Sequence, residues 1–222
     1  MSTPQDINVR QQPAVAATGG GTDTLLATEQ LTKNFGGLTA VDSVDFSIDE
    51  GEIRCLIGPN GAGKSTLLEL ITGQLSPSEG SIYFDGRDLT GLDPHERIDT
   101  GISVKFQSPH VYENLTVEQN LQVPLQRTDR DADGVMAETL DRISLAEKAA
   151  TGASELSHGE KQRLEIGMAV TLDPTLMLLD EPVAGMSVDE TADVAELIGS
   201  LHDDGMTFLV VEHDMEFVRR IS

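Results

Sequence analysis

Residues 53–70 read IRCLIGPNGAGKSTLLEL, and no other stretch restricts the fold as much. A short apolar run meets a glycine-rich loop that opens directly into a helix-like pattern carrying Leu67, Leu68, Leu70 and Ile71. Positions 58–65 satisfy G-x-x-x-x-G-K-[ST] at every defined place, between the strand and the helix that the motif requires. Gly58, Gly61 and Gly63, with Pro59, Asn60 and Ala62 between them, let the backbone curl so that successive N–H groups point inward. The helix that follows adds its positive N-terminal end. Such a nest suits polyphosphate: Lys64 reaches toward β- and γ-phosphates, the Ser65 hydroxyl toward the Mg2+ that bridges them, and Thr66 lies in the same first turn. The competing reading is an ordinary glycine-rich turn, which explains neither the lysine nor the hydroxyl after it.

The rest of the chain supports an α/β architecture: a P-loop core with a mostly parallel sheet, an N-terminal antiparallel β lobe and a helical subdomain. Residues 1–23 are polar and small, with three glycines at 19–21, and read as a disordered lead-in. Between 25 and 49 apolar residues alternate loosely around a Gly36-Gly37 turn, the pattern of antiparallel strands, and 80–84 continues it into an Asp85-Gly86 turn. Asp93-Pro94 starts a short helix to Ile98, and 102–106 is a further strand. Thr116 and Gln119 form a capping box for a helix that Pro124 interrupts, and 135–143 is a second helix, so about 108–157 reads as the helical subdomain. Helices at 159–172 and 188–201, strands at 176–179 and 206–211, and a last helix from Asp214 alternate as in a parallel sheet.

Lys and Arg number 15 against 38 Asp and Glu, a formal net charge of -23, with 4% aromatic residues. A surface this acidic is one route to hydration in concentrated salt, where carboxylate repulsion is screened, and suggests a halophilic source. It also argues against nucleic acid as a partner, since no basic cluster occurs. The lone Cys55 excludes an internal disulfide and reads as a small core residue in a reducing cytosol. No apolar run approaches the ~20 residues of a membrane span, and the first residues lack a signal-peptide pattern.

Downstream, LMLLDEP at 176–182 ends an apolar strand in two carboxylates. Ligands of open parallel sheets gather at the carboxyl ends of strands, which puts Asp180 near the metal and Glu181 near the γ-phosphate, where it can polarise water. Alone, the run is equally a strand ending in a solvated acidic turn. LSHGEKQRLEIG at 156–167 has Ser157 and Glu160 as a capping box, and a helix start presenting the Ser157 hydroxyl and the Gly159 backbone also suits an anion. Asp129, Asp131, Asp133 and Gly134 mimic half of a calcium loop, but Leu140 stands where its bidentate Glu belongs. His95, His110 and His202 lie in polar surroundings without ligand spacing and read as surface residues.

The phosphate loop, Gln107 after a strand, LSHGE, LLDEP and Val211-Glu212-His213, in that order, resemble the ATPase subunit of ATP-binding cassette (ABC) transporters over about residues 25–222. The resemblance implies that Phe35 stacks on adenine, where otherwise it would be a lobe core residue. It implies that the Gln107 amide senses Mg2+ and γ-phosphate, that His213 contacts the γ-phosphate and orients water, and that Ser157 and Gly159, with Glu160 beside them, act on the nucleotide of the opposite subunit. Catalysis then falls to Glu181, His213 and Gln107, metal binding to Ser65, Gln107 and Asp180, with ATP and Mg2+ as ligands. Residues 184–187 become the loop through which two subunits communicate, and 108–118 the docking segment for transmembrane permease subunits. The implied partners are those permeases, a second ATPase subunit, identical or a paralogue, and indirectly a substrate-binding protein. The implied place is the inner face of the cell membrane.

The runs FQSPHVYENLTVEQNL, SHGEKQRLEIGMAV, DEPVAGMSVDET and VVEHDMEFVRRIS are most similar to importers of urea and of branched-chain amino acids, the urea type first. His158 and Glu160 depart from the commoner Gly and Gln, and the second adds negative charge near a phosphate site. Family members continue past the position of Ser222, so the domain at 24–222 reads as truncated. A soluble cassette ATPase is the alternative, and a subunit that binds ATP without hydrolysing it is a third reading. Intact Lys64, Asp180, Glu181 and His213 oppose the third.

Overall fold

A computed structural model describes residues 24–105, 111–126, 128 and 130–222. Alternation of apolar and polar residues makes β1 (Thr24–Phe35) and β2 (Leu38–Asp49) an antiparallel hairpin, with Phe35 opposite Leu38 at its tip. β4 (Glu79–Phe84) joins the other side of β1, and β5 (Arg87–Asp88) extends that sheet to the order β2-β1-β4-β5. The second sheet is parallel, in the order β3-β8-β7-β6, from β3 (Ile53–Ile57), β6 (Ile102–Lys105), β7 (Leu176–Asp180) and β8 (Thr207–Glu212). β7 and β8 are apolar almost throughout because both of their faces are buried.

Alternate residues of those two strands face different cores. Leu176, Leu178, Leu209 and Val211 pack with the β lobe and α1 (Lys64–Ile71); Met177, Leu179, Phe208 and Val210 pack with the helices on the far side. Those helices are α3 (Val117–Leu125), α4 (Ala132–Arg142), α5 (His158–Val170), α6 (Val188–Asp203) and α7 (Met215–Ile221). Val117, Leu121, Leu140 and Ile143 share one cluster with Leu164 and Met177, so the apolar faces of α3 and α4 continue the core of the sheet.

α2 (Pro94–Ile98) carries Arg97, whose fully buried guanidinium donates to the carbonyls of Leu70 and Ile71 at 2.7 and 2.8 Å, closing the C-terminus of α1. Its other donors reach Leu92 O at 3.1 Å and Thr90 O at 3.3 Å. Burial pushes its pKa down, against the nearby Asp88 carboxylate.

Several expectations shift in detail. α3 runs through Pro124 to Leu125, because a proline in the last turn forgoes only one intrahelical bond before the helix ends. His202 is not a free surface residue: it is half-buried, with Nε2 2.9 Å from Gly51 O, fastening α6 to the turn before β3. Asp131 and Asp133 serve the start of α4 as its N-cap position and first turn. Asp129 and His110 lie outside the described residues, as do residues 1–23. Cys55 is half-buried against the helical-side core, and burial pushes its thiol pKa up, as suits an inert residue.

Candidate active site

Parallel register brings the ends of three strands to one edge: Leu56 pairs with Val211, and Val211 with Asp180. The 58–63 loop, residues 181–187 and residues 213–214 therefore leave the sheet side by side. β6 ends at the same edge, and residues 106–110, which include Gln107, lie outside the described residues.

The loop after β3 takes its shape from glycine. Gly61 and Gly63 have φ of 80° and 86°, and a Cβ on Gly63 would stand 2.2 Å from the Ala40 carbonyl oxygen. Close packing on β2 thus permits no side chain at Gly63, and it sets the tip of the β1–β2 hairpin beside the loop. Phe35, at that tip, is 46% exposed with the Lys33 ammonium 5.2 Å from its ring centroid, so it is not a lobe core residue. Lys64 is buried and donates from Nζ to Gly58 O at 2.7 Å and Pro59 O at 3.0 Å, so its charge already spans the loop. Ser65 is exposed and Thr66 half-buried in the next positions of the helix.

α1 also differs from other helices in how it begins. α3, α5 and α6 each have a hydroxyl capping box, at Thr116/Gln119, Ser157/Glu160 and Ser187/Glu190. α1 has Gly63 as N-cap, with no side-chain cap and no acidic residue in its first turn. Its first-turn N–H groups and positive pole are thereby left for an external anion, which is the fit a polyphosphate needs.

Across the edge, Asp180 ends β7, and Glu181 follows with φ 47°, a left-handed conformation that non-glycine residues rarely adopt and that costs about 1–3 kcal/mol. Its N–H donates to Val211 O at 2.9 Å, which anchors the turn to β8. The carboxylate Oε1 stands 3.5 Å from His213 Nδ1, bringing together two residues predicted to act on one water. His213 is largely exposed, and its loop is held by Glu212, buried at the end of β8, whose Oε2 accepts from the N–H groups of His213 and Asp214 at 2.8 and 3.0 Å. Glu212 was assigned no role from the sequence, where it appeared only inside the Val211-Glu212-His213 run as an acidic residue ending an apolar strand.

Ser157 and Gly159, at the start of α5, bond to a carboxylate of α6 in the same chain, and His158 between them reaches Ala184 O. Glu160 does not project as a free charge. It accepts from Ser157 N–H at 3.0 Å and pairs with Lys148; burial raises its pKa, and these two donors outweigh it, holding the carboxyl below its usual range. Among the described residues no three His, Cys, Asp or Glu gather as a metal cage.

A protein-family model described as ABC transporter matches residues 41–184. The chain belongs to the ABC transporter family. It is 37% identical to the high-affinity branched-chain amino acid transport ATP-binding protein LivG of Salmonella typhimurium, over 89% of this chain and 85% of that protein. It is 34% identical, with the same coverage, to the corresponding protein BraF of Pseudomonas aeruginosa. A solved ATP-binding cassette of an ABC transporter superposes with a TM-score of 0.81 at 32% identity, covering 88% of this chain and 83% of that one. The chain is accordingly the ATP-binding, ATP-hydrolysing domain of an ABC transporter. No helix among the described residues is long and apolar enough to cross a membrane.

Proposed function

We propose that this ABC ATPase powers an importer by hydrolysing ATP between two subunits arranged head to tail. The observation that carries the reading is the meeting of Glu181 and His213 at the edge where α1 begins uncapped. Lys64 and the first-turn N–H groups bind the β- and γ-phosphates, and Phe35 stacks on the adenine. Glu181 accepts the proton of the attacking water, and His213 orients that water toward the phosphorus. Ser65, Asp180 and Gln107 would hold Mg2+, a hydroxyl and one carboxylate being a donor set that this ion uses together with substrate phosphates. When bound, Mg2+ supplies positive charge to the phosphate oxygens as they separate.

Ser157 and Gly159 of each subunit close on the γ-phosphate held by the other, so both sites depend on pairing. Residues 108–118 dock on the permease subunits, which keep the ATPase peripheral at the inner face of the membrane, with a substrate-binding protein delivering solute outside. Relatives named for branched-chain amino acid transport support that solute class; the 157–170 and 180–191 runs support urea as the second reading. Uptake of labelled leucine against labelled urea, in vesicles carrying the complete transporter, separates the two.

The catalytic assignment is tested with Glu181→Gln, which keeps size and hydrogen bonding but loses basicity. Binding of Mg·ATP survives, hydrolysis stops, and size-exclusion chromatography shows an ATP-dependent dimer. A variant that stays monomeric at saturating ATP, or turns over at the parental rate, removes both the role of Glu181 and the paired mechanism.

A further inference from the structure

Glu190 lies on α6, outside every residue assigned above, yet its carboxylate reaches the start of α5. Oε1 accepts from Ser157 Oγ–H and from Gly159 N–H, each at 3.0 Å. Oε2 accepts from Ser187 N–H at 3.1 Å and from Ser187 Oγ–H at 3.0 Å, completing the cap of its own helix. These donors hold the carboxyl down at about 2, so it is an anion at any physiological pH. The fit is tight: a Cβ on Gly159 would stand 2.7 Å from Glu190 Cγ. His158 adds a second bridge between the same two loops, from Nε2 to Ala184 O at 3.2 Å.

The Ser157 hydroxyl and the Gly159 N–H each carry one proton, and in the unpaired subunit both are already donated to a carboxylate oxygen. They are the same donors that the paired mechanism directs at the γ-phosphate of the opposite subunit. One proton cannot serve two anions at full strength, and two anions at one helix start repel each other. We propose that Glu190 is an intramolecular stand-in for the γ-phosphate: it keeps the Ser157–Gly159 cradle filled in the single subunit and is displaced when the partner's ATP arrives. Its two oxygens divide the work, so withdrawal of Oε1 leaves the Oε2 contacts to Ser187 in place, and α6 stays capped while the cradle opens. The contact also couples the loop at 184–187 to the occupancy of the cradle, because any movement of Glu190 pulls on Ser187. This inference rests on the head-to-tail reading.

The test measures the ATP concentration that half-saturates dimerisation of Glu181→Gln protein, followed by light scattering in Mg·ATP. In that background Glu190→Gln removes the competing charge, and Glu190→Asp keeps the charge but shortens the reach of Oε1 to Ser157. Each lowers the half-saturating ATP concentration by about tenfold, the size expected for releasing one charge-assisted hydrogen bond. Mere damage to the α6 cap would raise it instead, so the direction separates the gate from a structural role. An unchanged or raised midpoint in both variants overturns the gate. Ser157→Ala is the companion: if it leaves dimerisation intact, the head-to-tail reading falls and the gate with it. If Ser157→Ala weakens dimerisation while neither Glu190 variant strengthens it, the gate alone fails.

Discussion

Replacing Arg97 by alanine tests how the phosphate-loop helix is held from behind. The guanidinium is 2% exposed and donates to four carbonyl oxygens, of which those of Leu70 and Ile71 are buried ends of α1. Removing the donors takes the guanidinium from the Ile71, Leu92 and Thr90 carbonyls and leaves Leu70 O with only the Gly73 N–H at 3.2 Å, at about 1–3 kcal/mol for each acceptor left unpaired, less whatever water entering the vacated space restores. The expected loss is about 4 kcal/mol, which for a chain of this size lowers the melting temperature by roughly 10 °C. Arg97→Met discriminates the cause, since it refills the volume but donates nothing: it melts about as low as Arg97→Ala. Arg97→Lys, a single point charge that reaches fewer carbonyls, falls between. Melts followed by circular dichroism in one fixed salt concentration measure all three. If methionine restored most of the parental stability, packing rather than hydrogen bonding would be the role of this residue, and the account of α1 would be wrong.

Other perturbations separate the remaining parts of the argument. Gly63→Ala places a methyl 2.2 Å from Ala40 O at a φ of 86° and abolishes nucleotide binding, whereas Gly61→Ala meets no atom and loses only about 1 kcal/mol to backbone strain; fluorescent-ATP titration shows the contrast. Lys64→Ala removes the charge that meets the β- and γ-phosphates, and calorimetry records loss of most Mg·ATP affinity, parental affinity being the refuting result. With a formal net charge of -23, the melting temperature rises with KCl into the molar range, and a flat or falling trend removes the halophilic reading. The Glu160 carboxyl has its folded pKa lowered from 4.5, so its contribution is complete above that value and is lost as pH falls through the lowered one. The stability gap between parent and Glu160→Gln therefore narrows on acidification below pH 4.5, as melts at stepped pH would record.

Strands, helix starts and the phosphate loop were legible because each is written in adjacent residues. Glycines and a lysine at fixed offsets make the nest, and a hydroxyl with Glu or Gln three places on makes a cap, as at Thr116 and Ser157. Arg97 was not legible: nothing in a short amphipathic segment shows that its guanidinium turns inward to carbonyls more than twenty residues away. Glu190 was not legible either: three places after Ser187, it offers at most the second half of a capping box. Its reach to Ser157 crosses 33 positions and depends on α5 and α6 packing with Gly159 against the Glu190 side chain. The exposed ring of Phe35 is a third such case, since a hairpin pattern marks an aromatic at its tip without deciding which side it faces.

The helix starts of this chain are treated oppositely, and the difference sets an order of events. At α1 the first turn has no side-chain cap and no acidic neighbour, so a nucleotide meets an open positive pole with Lys64 already in place. At α5 the corresponding pole is filled twice over, by the Ser157 hydroxyl and by the Glu190 carboxylate that Ser157 and Gly159 hold. An anion arriving at a single subunit therefore finds only the first site ready. On the paired reading proposed above, the second becomes available to a competitor with more charge and more acceptor oxygens than a carboxylate, presented at high local concentration by a facing subunit. In that scheme loading precedes pairing, and Glu190 keeps the free subunit from closing on stray anions.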